Sequence, residues 1–453
     1  RYASQPEILR YAQHVADRFY LHGDIQLNTN VVSAAFIEKS NLWELQTDDG
    51  DCFSARFLVM ATGCLSQPNW PAIKGLDVFE GGLYHTGQWP QQDINFEGRK
   101  VGVLGTGSSA IQVIPQLAGQ VESLTVFQRT ANYAIPAHNR PLDADSIAKI
   151  KSDYTGLRAR AKNTPRGVAL LKPQRLAAEV SRDELIEDLE WRWQVGGLAF
   201  LEGFSDLTLN PDYNAIAAEF VREKIRTIVK DEETAELLCP ANYIGAKRLC
   251  VDINYFETYN RENVELVDIR SNPMSAIRAK GVTLQDGFYE LDDLVIATGF
   301  DAITGALLNI NITGKDGRGL KQQWSHGPKS YLGLAMAEFP NLFTVTGPGS
   351  PSVLTNMLPS IEQHVDWIAD CLEYMSGQNF SRIEASAEAQ ESWWAKVQEA
   401  ASVTLRSKTA TWYTGENIEN KPHVFMPYVG GFHVYSEICK RVVAKGYEGF
   451  VFS

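Results

Sequence analysis

The chain has 453 residues, a formal net charge of −13, 44% hydrophobic and 21% charged residues. Such a length suits two or three domains with separate cores, and the acidity argues against nucleic acid or anionic membrane surfaces as partners. No apolar run approaches membrane-spanning length, no signal peptide opens the sequence, and the six scattered cysteines lack CxxC spacing, which fits a reducing cytoplasm without zinc or a redox disulfide.

Ser4, Pro6 and Glu7 predict a helix start with Ser4 as N-cap and Glu7 closing a capping box, the helix running to about Phe19. Strands are predicted over residues 25–27, 31–36 and 43–47. A further strand follows the Asp48-Asp49-Gly50-Asp51 turn. Residues 55–63 read as a buried strand ending in Ala61-Thr62-Gly63, and the pattern recurs at 294–301 with Ala297-Thr298-Gly299. A glycine at such a strand end lets bare backbone approach a cofactor or cross between domains.

Residues 100–112 read as strand, glycine turn and helix start. The run 101–104 is short and β-branched, as in a buried parallel strand. Gly105 permits the tight turn, Gly107 lets a phosphate approach the backbone, and Ala110 keeps the helix close to the sheet. The helix start, with Thr106, Ser108, Ser109 and Gln112, offers N–H groups and a dipole to a pyrophosphate. The helix is predicted over 110–117, with Pro115 bending or shortening it. A second strand, 123–127, ends at Gln128-Arg129-Thr130. An arginine there suits a 2′-phosphate and so NADP; the alternative is a solvated strand-end cation.

Just ahead of that turn stand Phe79, Gly81, His85, Trp89 and Pro90 in the pattern Phe-x-Gly-x-x-x-His-x-x-x-Trp-Pro. This resembles the fingerprint of flavin- and NADPH-dependent type I Baeyer–Villiger monooxygenases. The likeness extends along the whole chain and is closest to the phenylacetone and steroid monooxygenase branch. It implies an α/β flavoprotein with two dinucleotide-binding domains, a Rossmann-like NADP domain nested in an FAD domain. The divisions expected are 1–64 and 301–453 for FAD and 65–300 for NADP, with a helical insertion over about 140–243. The resemblance also leads us to expect that Arg1 is not the natural start. An FAD-binding βαβ unit with its own glycine fingerprint, and an aspartate that partners the active-site arginine, would be missing upstream.

The resemblance implies further roles. NADPH reduces FAD, dioxygen adds to give a C4a-peroxyflavin, and its attack on a ketone (aryl, cyclic or steroid-like) yields an ester or lactone. Lys247 and Arg248, a surface pair on the residues alone, match the lysine holding the 2′-phosphate and the catalytic arginine over the flavin. An arginine suits that role because it stays protonated where a lysine need not. Val31 matches a residue whose backbone faces the FAD adenine. Met357, by itself a core methionine, matches a flavin contact, and Trp412 a residue closing over NADP. Cys64, Ser352, Val353 and Leu354 are expected near the substrate pocket. His85 is expected to act in a linker between domains, by hinge or packing, rather than as a proton carrier. Strands are also predicted at 264–267, 281–291 and 339–345, and a helix at 361–374. The loop at 163–167 has no interpretation from sequence.

Overall fold

The structure, a computed structural model, describes residues 2–453. Helix α1 (Gln5–Arg18) starts with Pro6 in its first turn, and none of its residues is buried. Ser4 stands at the N-cap with extended backbone, but its side chain makes no capping bond; its carbonyl accepts from the Glu7 and Ile8 N–H groups instead. The predicted capping box is therefore absent. Residues 25–27 form no strand either: Leu27 is 76% exposed and finds no pairing partner.

Strands β1 (Val31–Ile37), β2 (Leu42–Thr47) and β3 (Cys52–Ala55) make an antiparallel meander whose inner face buries Ala34, Phe36 and Trp43. β4 (Leu58–Met60) then leads to Gly63.

β5 (Gly82–His85), β6 (Lys100–Leu104), α2 (Ser108–Ala118) and β7 (Ser123–Gln128) follow, then β8 (Ala134–Pro136). α2 accommodates Pro115 and runs on to Ala118, packing Ala110, Ile111, Ile114 and Leu117 onto the sheet. Helices α3 (Ala144–Ser152), α4 (Tyr154–Lys162), α5 (Arg182–Val195), α6 (Pro211–Ile228) and α7 (Glu232–Leu238) fill the stretch read as a helical insertion. Ser181 and Glu184 cap α5 reciprocally.

Next come β9 (Cys250–Asp252), α8 (Tyr255–Thr258) and β10 (Val264–Asp268). β11 (Met274–Arg278), β12 (Gly281–Leu284) and β13 (Phe288–Glu290) form a small antiparallel sheet, so the single strand predicted over 281–291 is a hairpin. β14 (Asp293–Ile296) completes a five-stranded parallel sheet of order β10-β7-β6-β14-β5. Val101, Val103, Val126, Val295 and Ile296 are wholly enclosed there, as strands covered on both faces require.

Beyond residue 301, α9 (Gly305–Leu308) precedes β15 (Asn311–Thr313), which adds parallel to β1. After α10 (Leu320–Gln323), β16 (Leu342–Thr344) pairs parallel with β4. The late chain thus completes sheets begun before residue 64. α11 (Met357–Gln378) is capped by Asn356 and is longer at both ends than the helix predicted over 361–374. Met357, expected in the preceding loop, is its first residue. β17 (Ile383–Ala385), α12 (Ala387–Ser402), α13 (Phe432–Ala444) and β18 (Phe450–Phe452) close the fold. Among the described residues no helix is long and apolar enough to cross a membrane.

Candidate active site

The end of β6 turns through Gly105–Gly107 into the start of α2. Gly105 has φ +113°, and a Cβ there would sit 2.6 Å from the Ala297 carbonyl at the end of β14, so only glycine fits the turn. Gly107 begins α2 with open space around its Cα. Buried Thr106 holds the turn in shape: its hydroxyl donates to the Thr130 carbonyl (2.8 Å), and the Asn132 amide donates to the Thr106 carbonyl (2.9 Å). Ser108 and Ser109 lie in the first helical turn, where N–H groups lack intrahelical acceptors. The Gln112 amide donates to the Ser108 carbonyl on the same helix (2.9 Å).

Arg129 is exposed at the end of β7, and half-buried Lys247 faces it from the loop before β9. Burial, and then the Arg129 charge, push the Lys247 ammonium below its ordinary pKa. Among the described residues neither cation has an ion-pair partner or a side-chain hydrogen bond. Two like charges held together without an acid form a ready site for a phosphate dianion.

Arg248 points the other way. Its Nη1 donates to the Val353 carbonyl (2.9 Å), tying the loop before β9 to the turn at Ser352–Leu354. Ser352 is fully buried and adopts φ +44°. The Cys64 thiol is pushed up by burial, partly offset by Ser352 and the Arg248 charge. Cys64 and Val353 are buried in one apolar cluster with Tyr413, Phe425 and Met426, and Leu354, Met357 and Trp412 pack against it. Trp412 lies 4.2 Å from Tyr413, centroid to centroid. Residues far apart in sequence therefore meet in one apolar cluster beside a guanidinium. Val31 does not join them; it begins β1 in the meander sheet.

The stretch carrying the fingerprint is only partly a linker: residues 82–85 form β5, the edge strand of the parallel sheet, and His85 ends it. Gly81 is required because a Cβ would lie 2.1 Å from the Asp292 carbonyl and 2.8 Å from the Phe79 ring. His85 Nδ1 accepts the Gly87 N–H (2.9 Å), and its ring packs between Trp70 (5.0 Å) and Phe300 (6.2 Å). Burial holds its pKa below the ordinary value, partly offset by the Asn69 backbone. Trp89 rests on Tyr84 and Phe96, with Pro90 following it half-buried at the sheet edge.

The sequence reading missed Arg166, whose carbonyl accepts the Asn356 N–H (2.8 Å) and so docks the 163–167 loop beside the Ser352–Leu354 turn. It also missed Lys421, which pairs with Asp301 and donates to the Ala302 carbonyl (2.9 Å). No local pattern marks either; both acquire meaning only through distant partners.

A family model described as pyridine nucleotide-disulphide oxidoreductase matches residues 1–153. Cyclohexanone 1,2-monooxygenase of Acinetobacter sp is 41% identical over 453 residues, covering 99% of this chain and 83% of the relative. Phenazine N-monooxygenase PhzNO1 of Lysobacter antibioticus is 40% identical, covering 100% of this chain and 83% of the relative. Among solved structures, an oxidized steroid monooxygenase bound to NADP superposes with a TM-score of 0.94 at 47% identity, covering 100% of this chain and 85% of that one. The chain belongs to the Baeyer–Villiger monooxygenase family. As in that family, it is an NADPH- and FAD-dependent flavoprotein monooxygenase. The geometry fits both cofactors: unpaired Arg129 and Lys247 suit the 2′-phosphate, and Gly63 (φ +74°) bares the backbone at the end of β4.

Proposed function

We propose that Arg248 is the catalytic residue of a Baeyer–Villiger oxygenation that inserts one oxygen atom of O2 beside a ketone carbonyl, giving an ester or lactone. The observation that carries this reading is the bond from Arg248 Nη1 to the Val353 carbonyl. It fixes a permanent cation between the nucleotide cradle and the apolar wall. Bound FAD and NADPH supply the reducing equivalents and the activation of dioxygen.

The chain's own residues bind, orient and exclude water. The turn at Gly105–Ser109, with Arg129, Thr130 and Lys247, holds NADPH; Gln112 steadies its helix, and Trp412 closes over the nicotinamide end. Val31, Gly63 and Met357 face FAD. Cys64, Ser352, Val353 and Leu354 line the ketone pocket, where a dry apolar wall strengthens the field of Arg248. A guanidinium keeps its proton in such a place, so negative charge developing on oxygen always meets a cation. Residues 1–64 and 301–453 act as one FAD unit around an NADP unit at 65–300; the pairings β1 with β15 and β4 with β16 support that division. We place the reaction in the cytoplasm, a reading supported by six unpaired cysteines.

Arg248→Ala should abolish ester formation, a loss on the order of a hundredfold or more, while reduction of the flavin by NADPH survives. Normal ester yield from that variant would refute the assignment. A second reading, oxidation of amine or sulfide heteroatoms, is favoured by the 40% identity to a phenazine N-monooxygenase. The Trp89-Pro90 ending of the fingerprint weighs against it. Product analysis with a cyclic ketone beside a tertiary amine separates the two.

A further inference from the structure

The charges of three arginines act on the buried phenol of Tyr413, and only Arg248 has a role in the mechanism above. Arg166 comes from the loop between α4 and α5, and its carbonyl accepts the Asn356 N–H (2.8 Å), next to the ketone-pocket turn. That loop is fastened on several sides: the Phe432 N–H donates to the Pro165 carbonyl (2.9 Å), and the Thr164 hydroxyl donates to the Ala161 and Val168 carbonyls. Arg406 comes from the turn after α12. Its Nε donates to the Gly245 carbonyl (3.1 Å), which fixes it beside the loop bearing Lys247 and Arg248.

All three guanidiniums act electrostatically on Tyr413, and Arg166 repels both Arg248 and Arg406. Among the described residues, no carboxylate lies within ion-pair distance of Arg166 or Arg406, and the Arg166 side chain has no hydrogen-bond acceptor. The one acid acting on Arg166 is Glu202. It is buried, and burial pushes its carboxyl upward, which weakens it as a counter-charge. Gathering half-buried cations without acids is unfavourable in itself; a bound anion removes the penalty. The phosphate groups of NADPH have their own donors at the start of α2, Arg129 and Lys247, leaving these guanidiniums to another ligand.

We propose that Arg166 and Arg406 form, beside Arg248, a subsite for a carboxylate carried by the ketone substrate, so that keto acids are preferred over neutral ketones. This rests on the oxygenase reading above. Planar guanidiniums match a carboxylate in geometry as well as charge. One carboxylate at this position would anchor the far end of the substrate while its carbonyl lies against the wall formed by Cys64 and Val353.

The test is steady-state oxygenation by the FAD-loaded enzyme of a cyclic ketone bearing an acetate side chain, compared with its methyl ester. The wild type should favour the acid in kcat/KM. Arg166→Gln and Arg406→Gln should each lower the acid-to-ester ratio by about tenfold or more, mainly through KM, while Arg166→Lys keeps most of it. No acid preference in the wild type, or a ratio unmoved in both glutamine variants, overturns the subsite while leaving the oxygenase reading intact. A rise in the KM for NADPH with the ratio unchanged overturns it too, since the arginines would then serve the nucleotide. Failure to oxygenate either ketone sinks both readings.

Discussion

Lys247→Gln should convert an NADPH-selective enzyme into one that scarcely distinguishes NADPH from NADH. The half-buried ammonium faces Arg129 with no acid between them, so the pair is organised for an anion even before one arrives. A charge-assisted hydrogen bond to phosphate contributes roughly 1.5–3 kcal/mol, which corresponds to a ten- to hundredfold loss of NADPH affinity in the variant. NADH lacks the 2′-phosphate and should bind almost as before. The assay is stopped-flow flavin reduction across a range of each nucleotide, which yields dissociation constants separately from hydride-transfer rates. A pH series adds an independent check. Burial and Arg129 hold the free Lys247 below its usual pKa, and a bound phosphate raises it again. NADPH affinity should therefore decline as pH rises through the free-state value, and that slope should vanish in Lys247→Gln. Equal losses for NADPH and NADH would refute the reasoning, because they would mean that Lys247 supports the fold or the shared pyrophosphate instead.

Buried His364 should make the protein acid-sensitive. Its Nδ1 accepts the Thr346 N–H (2.9 Å) and Nε2 pairs with the Tyr435 hydroxyl (2.9 Å), a network satisfied only by the neutral ring. Burial lowers its pKa to about 3. The associated stability, roughly 4–5 kcal/mol, is present above the unfolded value near 6.5 and is lost as pH falls from there toward 3. His364→Gln should flatten the stability-versus-pH curve in that window; an unchanged slope in urea titrations counts against the assignment. His85→Leu should slow ester-forming turnover by removing the acceptor of the Gly87 N–H and the ring between Trp70 and Phe300. It should leave the acid limb of the pH–rate profile in place, and a displaced limb would make His85 a proton carrier.

The strand, glycine turn and helix at 100–112 were readable because most of their determinants are local. Gly105, Gly107 and Ala110 obey constraints set by neighbouring backbone, and Arg129 lies one strand away. The cluster that joins Cys64, Val353 and Trp412 has no local signature: nothing in the sequence near them signals that they meet, and only family resemblance singled them out. Errors fell where local preference had no tertiary support. Residues 25–27 alternate as a strand might, yet no neighbouring edge pairs with them. Ser4 and Glu7 have the spacing of a capping box, but α1 buries no residue that would hold its first turn still. Residues 82–85 were hidden inside a motif read as linker, because a four-residue edge strand carries too little pattern to stand out.

The proposed site draws on stretches near residues 64, 248, 353 and 412, and such a site needs something to keep the contributing segments in register. Two strands, β4 and β14, each lead to a glycine, Gly63 and Gly299, with positive φ. The segment carrying Trp412 is fastened to the second: Lys421 binds Asp301, and the Asn417 amide donates to the Phe300 carbonyl (2.8 Å). Asn69, just past Gly63, donates to the Asn417 carbonyl (3.4 Å), and its own carbonyl accepts the Thr298 hydroxyl. Phe300 in turn packs against His85 at the edge of the parallel sheet. The fingerprint histidine thus lies two contacts, through Phe300 and Asn417, from the segment that carries Trp412. A shift at either glycine must displace both the Trp412 segment and the sheet edge. That mechanical connection is the route by which replacing a buried histidine at the sheet edge would slow turnover.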